Sequence, residues 1–468
     1  MSNLFPLRRL CIQYQYPLLL LLPPLLLLLL LLPPTLTALS LGTTGMTARR
    51  KMIRPLPEKL LIAYTTTECY CNHDEESPSS QSSSSTSSPP AVVRRALRDG
   101  VNVLIWSFFE ITPNKSNNID HHHHHQDDEH NTHYNIHTNS LGNLNCIKQV
   151  IHQLDREGYT DTIHLTSFGG WNGPHLDSFE NGTARQWYQV WKEHFGNTFH
   201  GIDWDFEGHD NVQSPTNEFS MNCLDKMGRI SQYASMDGYR IGVAPPQSYL
   251  DISNHNFSRR VNLTRSDQVP EHDDNDGSSS SSSSSSSWHD DFPYHGANVY
   301  AYLLAKYGAY VDFVSIQFYE SYSRAGRHIH HHHLEPAEYL QSYVNDLVDQ
   351  GESFAVNFSQ DPDVQLPDQR VALPLSKLVW GFANGWALNK DIVNDEKTVY
   401  FSPASIEIAY RALMHTGRTP RGCMFWVINE EGTNGIHYAP VLHDILHLQD
   451  TKRPSVPQRF DDGNKGEL

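Results

Sequence analysis

The sequence predicts a parallel (β/α)8 barrel, a TIM barrel, from eight strand-like segments, helix-like stretches between many of them, and polar insertions that follow strands. Several strand-like segments are continuous apolar runs, as expected for strands buried on both faces. Strand and helix that alternate along one long chain indicate such a barrel. The predicted strands are Leu60–Thr66, Asn102–Phe109, Thr162–Ser167, Phe199–Glu207, Arg240–Ala244, Val311–Phe318, Lys377–Ala383 and Gly422–Val427.

Helix-like stretches separate many of these strands. The last of them begins with Ser402 and Pro403, which fits a serine N-cap followed by proline in the first helical turn. The predicted helices are Ala91–Asp99, Cys146–Glu157, Ala184–Phe195, Asn217–Met236, Pro336–Gln350 and Ser402–Met414.

The composition fits a folded domain diluted by polar segments. The chain has 468 residues, of which only 38% are hydrophobic, but 9 Trp, 22 Tyr and 19 Phe argue against wholesale disorder. A net charge of −18 disfavours binding to nucleic acid or to an anionic membrane surface. A neutral substrate remains open.

Four low-complexity insertions lie between strands and the elements that follow them: Ser77–Pro90, Asn114–Ser140, Asp251–Asp290 and Ser321–Leu334. Their composition predicts segments that cannot bury enough apolar surface to fold. All four would extend from the carboxyl ends of the strands, the side that carries active sites in such barrels. We interpret the histidine runs within two of them as low complexity, because a metal site needs fixed geometry. We therefore predict no metal.

The amino-terminal segment resembles a secretory signal. Arg8 and Arg9 precede a leucine run, and small residues follow it, so residues 1–40 are expected to form a cleaved signal peptide. We expect a linker at 41–59, a catalytic barrel at 60–448 and a polar tail at 449–468. The expected location is extracellular, with the ER lumen or a signal-anchored form as alternatives, and we expect a monomer with no membrane span after signal removal.

An oxidising compartment would allow disulfides. Outside the predicted signal, five cysteines remain, so one or two bonds can form and at least one thiol must stay free. Five sequons fit a surface glycoprotein, at Asn114, Asn181, Asn256, Asn262 and Asn357.

The segment His200–Gly208 carries the candidate chemistry. Because residues alternate faces along a strand, Asp203, Asp205 and Glu207 share one face and the intervening apolar residues share the other. The acidic face is expected to point into the barrel, where like charges repel and at least one proton is retained. Glu207, nearest the carboxyl end of the strand, would be a general acid.

This run resembles the D-G-x-D-x-D-x-E signature of glycoside hydrolase family 18, the chitinases and their relatives. Asp203, Asp205 and Glu207 match its last three acidic positions, and His200 stands where the family has aspartate. Further resemblances follow in order along the chain, at Ser167-Phe168-Gly169-Gly170, Ala244-Pro245-Pro246-Gln247, Gln317-Phe318-Tyr319 and Trp426. Glu320 departs from the Asp or Asn common after the tyrosine.

The resemblance implies a barrel that cleaves chitin or chito-oligosaccharides through the substrate's own 2-acetamido group, without a cofactor. It implies Glu207 as acid and base, and Asp205 as the group that orients the acetamide. Asp203 would support Asp205, and Tyr319 would donate to the acetamido oxygen. Implied substrate-binding residues are Trp426, Gln317, Ser167, Gly169, Gly170 and Trp386. Two alternatives remain, an endo-β-N-acetylglucosaminidase acting on N-glycans and a non-catalytic chitin-binding lectin.

Overall fold

Eight parallel strands close into a barrel in the order in which they occur along the chain. The computed structural model describes residues 54–66, 90–113, 134–138, 144–176, 183–211, 213–261, 296–320, 323–330, 332–388 and 398–448. The barrel strands are β1 Leu60–Thr66, β2 Val103–Ser107, β3 Ile163–Gly170, β4 Gly201–Phe206, β5 Arg240–Val243, β6 Phe313–Gln317, β7 Leu378–Ala383 and β8 Gly422–Trp426.

Each barrel strand pairs in parallel with its neighbours in sequence, and β1 pairs with β8 to close the ring. The predicted fold class is therefore confirmed, and each predicted barrel strand is present within a few residues of its expected bounds. Phe109, predicted at the end of the second strand, instead begins a separate strand, Phe109–Pro113, which pairs antiparallel with Tyr134–Thr138. Tyr134–Thr138 lies within the insertion predicted at Asn114–Ser140, so part of that insertion is folded, which corrects the sequence interpretation. A second small antiparallel pair joins Ser353–Val356 to Gln369–Ala372.

The helices surround the strands. They are α1 Ala91–Arg98, α2 Leu144–Arg156, α3 Ala184–His194, α4 Met221–Met236, α5 Ala301–Tyr307, α6 Arg324–His330, α7 Pro336–Asp349, α8 Pro403–Thr416 and α9 Tyr438–Leu446. The side chain of Ser402 caps α8, as its sequence predicts, by accepting a hydrogen bond from the Ser405 N–H. None of the helices in the described ranges is both long and apolar enough to cross a bilayer.

The start of α4 was predicted four residues too early. Asn217 does not begin the helix, because its side chain fastens the loop after β4. Its Nδ2 donates to the carbonyls of His209 and Asn211, and its Oδ1 accepts from the His209 N–H. Ser220 caps the helix instead.

Part of the predicted insertion Ser321–Leu334 is folded, which corrects the sequence interpretation. It contains α6, whose Arg324 is buried and forms an ion pair with Asp251 at 2.8 Å. His328 is buried and stacks on Tyr339 of α7, and burial lowers its pKa to about 4. The histidine-rich composition concealed these inward-facing side chains.

The insertion predicted at Asp251–Asp290 also begins with ordered chain. Within 251–261, Phe257 packs on Phe358, with ring centroids 5.0 Å apart. Arg259 donates to Asp361 and Asp363, each at 2.7 Å. These contacts fasten the segment to the chain after α7. Several predicted segments lie outside the described residues. They are the remainder of this insertion, the runs His121–His125 and Ser278–Ser287, the signal at 1–40 and the tail at 449–468.

Two apolar layers hold the barrel together. The inner layer fills the barrel, and the outer layer lies between the strands and the helices. Cys146 takes part in a disulfide, whereas Cys223 and Cys423 are buried thiols. The inner layer comprises Leu60, Ile62, Tyr64, Val103, Ile105, Ile163, Leu165, Ala244, Phe313, Val379, Met424 and Val427.

Candidate active site

Strand β4 presents its two faces as its alternation requires. Ile202, Trp204 and Phe206 belong to the outer apolar layer, and the Trp204 indole donates to Ser231 of α4 at 2.8 Å. The acidic side chains take the opposite face. Asp203 and Asp205 therefore lie inside the barrel, and Glu207 follows them at the carboxyl end of the strand.

Hydroxyl groups on two other strands, β1 and β3, hold the Asp203 carboxylate. Its Oδ2 accepts hydrogen bonds from the Tyr64 hydroxyl at 2.6 Å and from the Ser167 hydroxyl at 2.7 Å. Gly242 of β5 lies against the other carboxylate oxygen, and a Cβ at that position would come within 2.6 Å of it. Burial raises the pKa of Asp203 to about 6, although both hydroxyl donors act to lower it.

Asp205 and Glu207 are buried neighbours at the carboxyl end of β4. Burial and the charges of Glu207 and Asp203 hold the pKa of Asp205 well above its ordinary value. Burial and the charge of Glu320 do the same for the pKa of Glu207. Both carboxyls therefore resist ionisation, which favours a state in which the pair holds a proton.

Strand β6 supplies the opposite side of this pair. Gln317 Nε2 donates to Asp205 Oδ1 and to the Ala244 carbonyl, each at 2.7 Å. The adjacent Tyr319 is buried, and burial together with the charges of Glu320, Asp205 and Glu207 raises the pKa of its hydroxyl. Tyr319 thus keeps its proton and can act as a hydrogen-bond donor.

Aromatic rings surround the carboxylates. Trp426, at the end of β8, lies 5.5 Å from the Tyr64 ring and stacks with Phe108 at 6.0 Å. Trp386 meets Tyr319 edge to face at 6.1 Å. Flat aromatic faces of this kind suit the apolar face of a sugar ring.

The glycines of β3 allow a close approach between β3 and β4. Gly169 and Gly170 have φ of 116° and 79°, a region that side chains other than glycine rarely adopt. A Cβ at Gly169 would collide with the Asp205 backbone, and one at Gly170 with the Phe108 ring. Their structural place is therefore to bring the end of β3 next to the carboxylate strand.

Sequence reasoning missed several residues of this site. Tyr64 lies on the inner face of β1, and strand alternation from Leu60 and Ile62 could have identified it. Trp171 directly follows Gly170 and is 39% exposed. Its indole donates to Asp210 at 2.9 Å, which fixes an exposed aromatic face beside Gly208.

Two buried tyrosines support the end of β4 and carry no local sequence signal. The Tyr249 hydroxyl accepts from the Gly208 N–H at 3.0 Å, and the Tyr300 hydroxyl donates to the Phe206 carbonyl at 3.0 Å. They hold the backbone on both sides of Glu207.

His200, the departure from the family signature, lies at the amino end of β4. Its Nδ1 accepts from the His164 N–H at 3.0 Å, and the two rings stack. His200 therefore joins β4 to β3, while Tyr64 and Ser167 provide the support of Asp203.

The structure brings the predicted catalytic residues together with Gln317, Ser167, Trp426 and Trp386. In the described part of the chain, no group of three or more His, Cys, Asp or Glu side chains is arranged to hold a metal ion. A separate cavity of about 300 Å³ lies between the segment 252–255 and α7, and none of the β4 carboxylates lines it.

No protein-family model and no curated protein sequence matches the chain. Solved structures similar to it include a family 18 chitinase from Chromobacterium violaceum, with 14% identity and a TM-score of 0.47 over 84% of this chain and 85% of that one. A fungal endo-β-N-acetylglucosaminidase of glycosyl hydrolase family 18 has 14% identity and a TM-score of 0.46, covering 84% and 99%. Active domain 2 of a Pyrococcus furiosus chitinase has 11% identity and a TM-score of 0.45, covering 85% and 99%.

Proposed function

We propose that this protein is a glycoside hydrolase that cleaves β-1,4-linked N-acetylglucosamine polymers by substrate-assisted, retaining hydrolysis. The observation that carries the proposal is the pair of buried carboxyls, Asp205 and Glu207, at the carboxyl end of β4, where burial and neighbouring charges oppose ionisation. General acid catalysis needs a proton held at neutral pH beside a bound substrate. The sequence signature around the pair supports the same chemistry.

Glu207 is the group that delivers the proton. It lies at the carboxyl end of β4, beyond Asp205, where a glycosidic oxygen can approach from the barrel mouth. Protonation of this oxygen lets the leaving sugar depart. The ionised Glu207 then takes a proton from water, and this water opens the cyclic intermediate that the acetamido oxygen has formed with the anomeric carbon.

The neighbouring groups position the acetamide. Asp205 accepts from the acetamido N–H and balances the positive charge that develops as the oxygen attacks. Asp203, held by Tyr64 and Ser167, keeps Asp205 in place electrostatically. Tyr319 donates to the acetamido oxygen, which holds it near the anomeric carbon.

Three tryptophans would contact the sugar rings. Trp426 forms the floor below the cleaved unit, and Trp386 lies beside Tyr319. Trp171 offers an exposed face next to Gly208, on the side where the leaving sugar would lie. The proposed partner is thus a neutral polysaccharide that contains N-acetylglucosamine.

A panel of oligomers of equal length tests this proposal. N-acetylglucosamine oligomers should be cleaved, and oligomers of glucosamine or glucose should not, because only the first carry the attacking acetamide. The first product seen by proton NMR should be the β-anomer, since two inversions at one carbon give net retention. An α-anomer as the first product would contradict the mechanism, because water would then attack directly.

The variant Glu207→Gln completes the panel. Its turnover should fall by roughly 10²–10⁴-fold, while circular dichroism and melting stay close to the parent. Near-normal turnover would remove Glu207 from the role. Retention of oligomers without shortening by the parent would favour the lectin, and release of glycans from an N-glycoprotein alone would favour the endo-β-N-acetylglucosaminidase.

A further inference from the structure

Asn384 connects the two tryptophans that face the candidate sugar site. It follows directly after β7 and is completely buried. The mechanism proposed above assigns Asn384 no role, because its side-chain hydrogen bonds do not reach the carboxylates of β4. Its hydrogen bonds nevertheless end on the chain segments that carry Trp426 and Trp386.

Asn384 binds the backbone at Trp426 and Val427 in three places. Its backbone N–H donates to the Trp426 carbonyl at 2.9 Å. Its side-chain Nδ2 donates to the Val427 carbonyl at 2.8 Å, and its Oδ1 accepts from the Val427 N–H at 3.3 Å. A side chain that satisfies both the donor and the acceptor of one peptide residue fixes that residue's orientation.

The same side chain also reaches Trp386. Its Oδ1 accepts from the Trp386 N–H at 3.3 Å, and Trp386 in turn meets Tyr319 edge to face. One amide group therefore orients the backbone segments that carry both Trp426 and Trp386.

Glu431 anchors the amide. Its Oε1 accepts from Asn384 Nδ2 at 3.0 Å and from the Tyr438 N–H at 3.0 Å. Its Oε2 accepts from the Ala439 N–H at 3.3 Å. The carboxylate thus ties Asn384 to the first turn of α9, and a charged partner strengthens the hydrogen bond.

We propose that Asn384 is a positioning residue that sets the spacing of Trp426 and Trp386 around the bound sugar, with Glu431 as its anchor. The proposal rests on the proposed function only for the identity of the ligand. An amide is required at this position because it must donate to one carbonyl and one carboxylate while it accepts from backbone N–H groups.

The test uses Asn384→Asp in a Glu207→Gln background, where oligomers bind without turnover. Aspartate keeps the shape but removes the donor and places a carboxylate against Glu431. The dissociation constant of an N-acetylglucosamine tetramer should rise about tenfold, the size expected for loss of a charge-assisted hydrogen bond. When Asn384→Asp is made in the protein that keeps Glu207, KM should rise by a larger factor than kcat changes. Unchanged affinity would overturn the proposal.

Asn102→Asp is the matched control. Asn102 also bridges backbone groups, accepting from the Leu61 N–H at 3.0 Å and donating to the Lys59 carbonyl at 2.9 Å, but it lies at the amino ends of the strands. Its replacement should lower stability and leave tetramer affinity unchanged. If both variants weaken binding equally, Asn384 is only structural.

Rescue separates positioning from general damage. In Asn384→Asp/Glu431→Gln, the glutamine amide can donate to the new carboxylate, so part of the lost affinity should return. No recovery would contradict a role for Glu431 as anchor. If Asn384→Asp does not fold, Glu431→Ala removes the anchor alone and should weaken binding in the same direction.

A readout without sugar keeps the proposal separate from the proposed function. In protein labelled with 5-fluorotryptophan, the Trp426 and Trp386 signals can be assigned through their phenylalanine variants. Asn384→Asp should move both signals, and Asn102→Asp should move neither. If the parent binds no oligomer but these signals move, the function fails and the positioning stands; if they do not move, the positioning fails.

Discussion

Burial dominates the protonation of Asp203, the most enclosed carboxylate of the site. Two hydroxyl donors favour its ionised form, yet its pKa rises to about 6 because its side chain is fully buried. The folded protein therefore binds this proton more tightly than the unfolded chain, whose aspartates titrate near pH 4.

The sign of the pH effect on stability follows. Asp203 makes its full contribution to the free energy of unfolding below about pH 4, and this contribution is lost as the pH rises through about 6. Asp203→Asn should remove up to roughly 3 kcal/mol of the decline in unfolding free energy between pH 4 and pH 7, measured by urea denaturation. Glu157→Gln is the control, because the hydrogen bond from Arg94 lowers the pKa of Glu157 to about 2. This variant should not reduce the decline in unfolding free energy between pH 4 and pH 7. Parallel curves for Asp203→Asn and the parent would contradict the argument.

At the scale of the element, α6 shows how a buried ion pair orders a histidine-rich segment. The side chains of Arg324 and Asp251 are 3% and 1% exposed. Those of Arg260 and Glu218, also paired, are 79% and 42% exposed. The two pairs offer a matched comparison within one protein.

Arg324→Met should destabilise the protein by about 3–5 kcal/mol, because the Asp251 carboxylate would stay buried without its counter-ion. Arg260→Met should cost at most about 1 kcal/mol, since water and salt screen an exposed pair. Chemical denaturation of both variants measures the difference. Equal losses would mean that α6 does not depend on its ion pair.

Strand β4 and helix α8 are elements whose sequences specify them locally. Apolar and acidic residues alternate along β4, and this period alone places the acids on one face. Ser402 and Pro403 mark the start of α8. Helices α5, α6 and α9, which the sequence analysis did not predict, are short. The surrounding chain determines which of their faces are buried.

At the scale of the whole molecule, closure of the barrel joins the first and last strands. Helix α9 packs against β1 and β8, with Tyr438, Leu442 and Ile445 buried. Deletion of Tyr438–Leu446 should therefore expose this seam and abolish cooperative unfolding.

Deletion of Ser278–Ser287 should have little effect on the melting temperature, because a serine run has no apolar surface to contribute to a core. Differential scanning calorimetry of both deletions against the parent checks the pair. A large loss of stability after removal of the serine run would overturn the interpretation of that segment as a low-complexity insertion.

Strand alternation and apolar runs are local patterns, so the sequence alone predicts the barrel and the acidic face of β4. The groups that meet those acids come from distant parts of the chain, and their positions depend on the folded barrel. Tyr64 and Asp203 are 139 residues apart, and Asp205 and Gln317 are 112 apart. Asn384 and Val427 meet only because β7 and β8 lie side by side. Such partners depend on the register of barrel closure, which no short segment encodes.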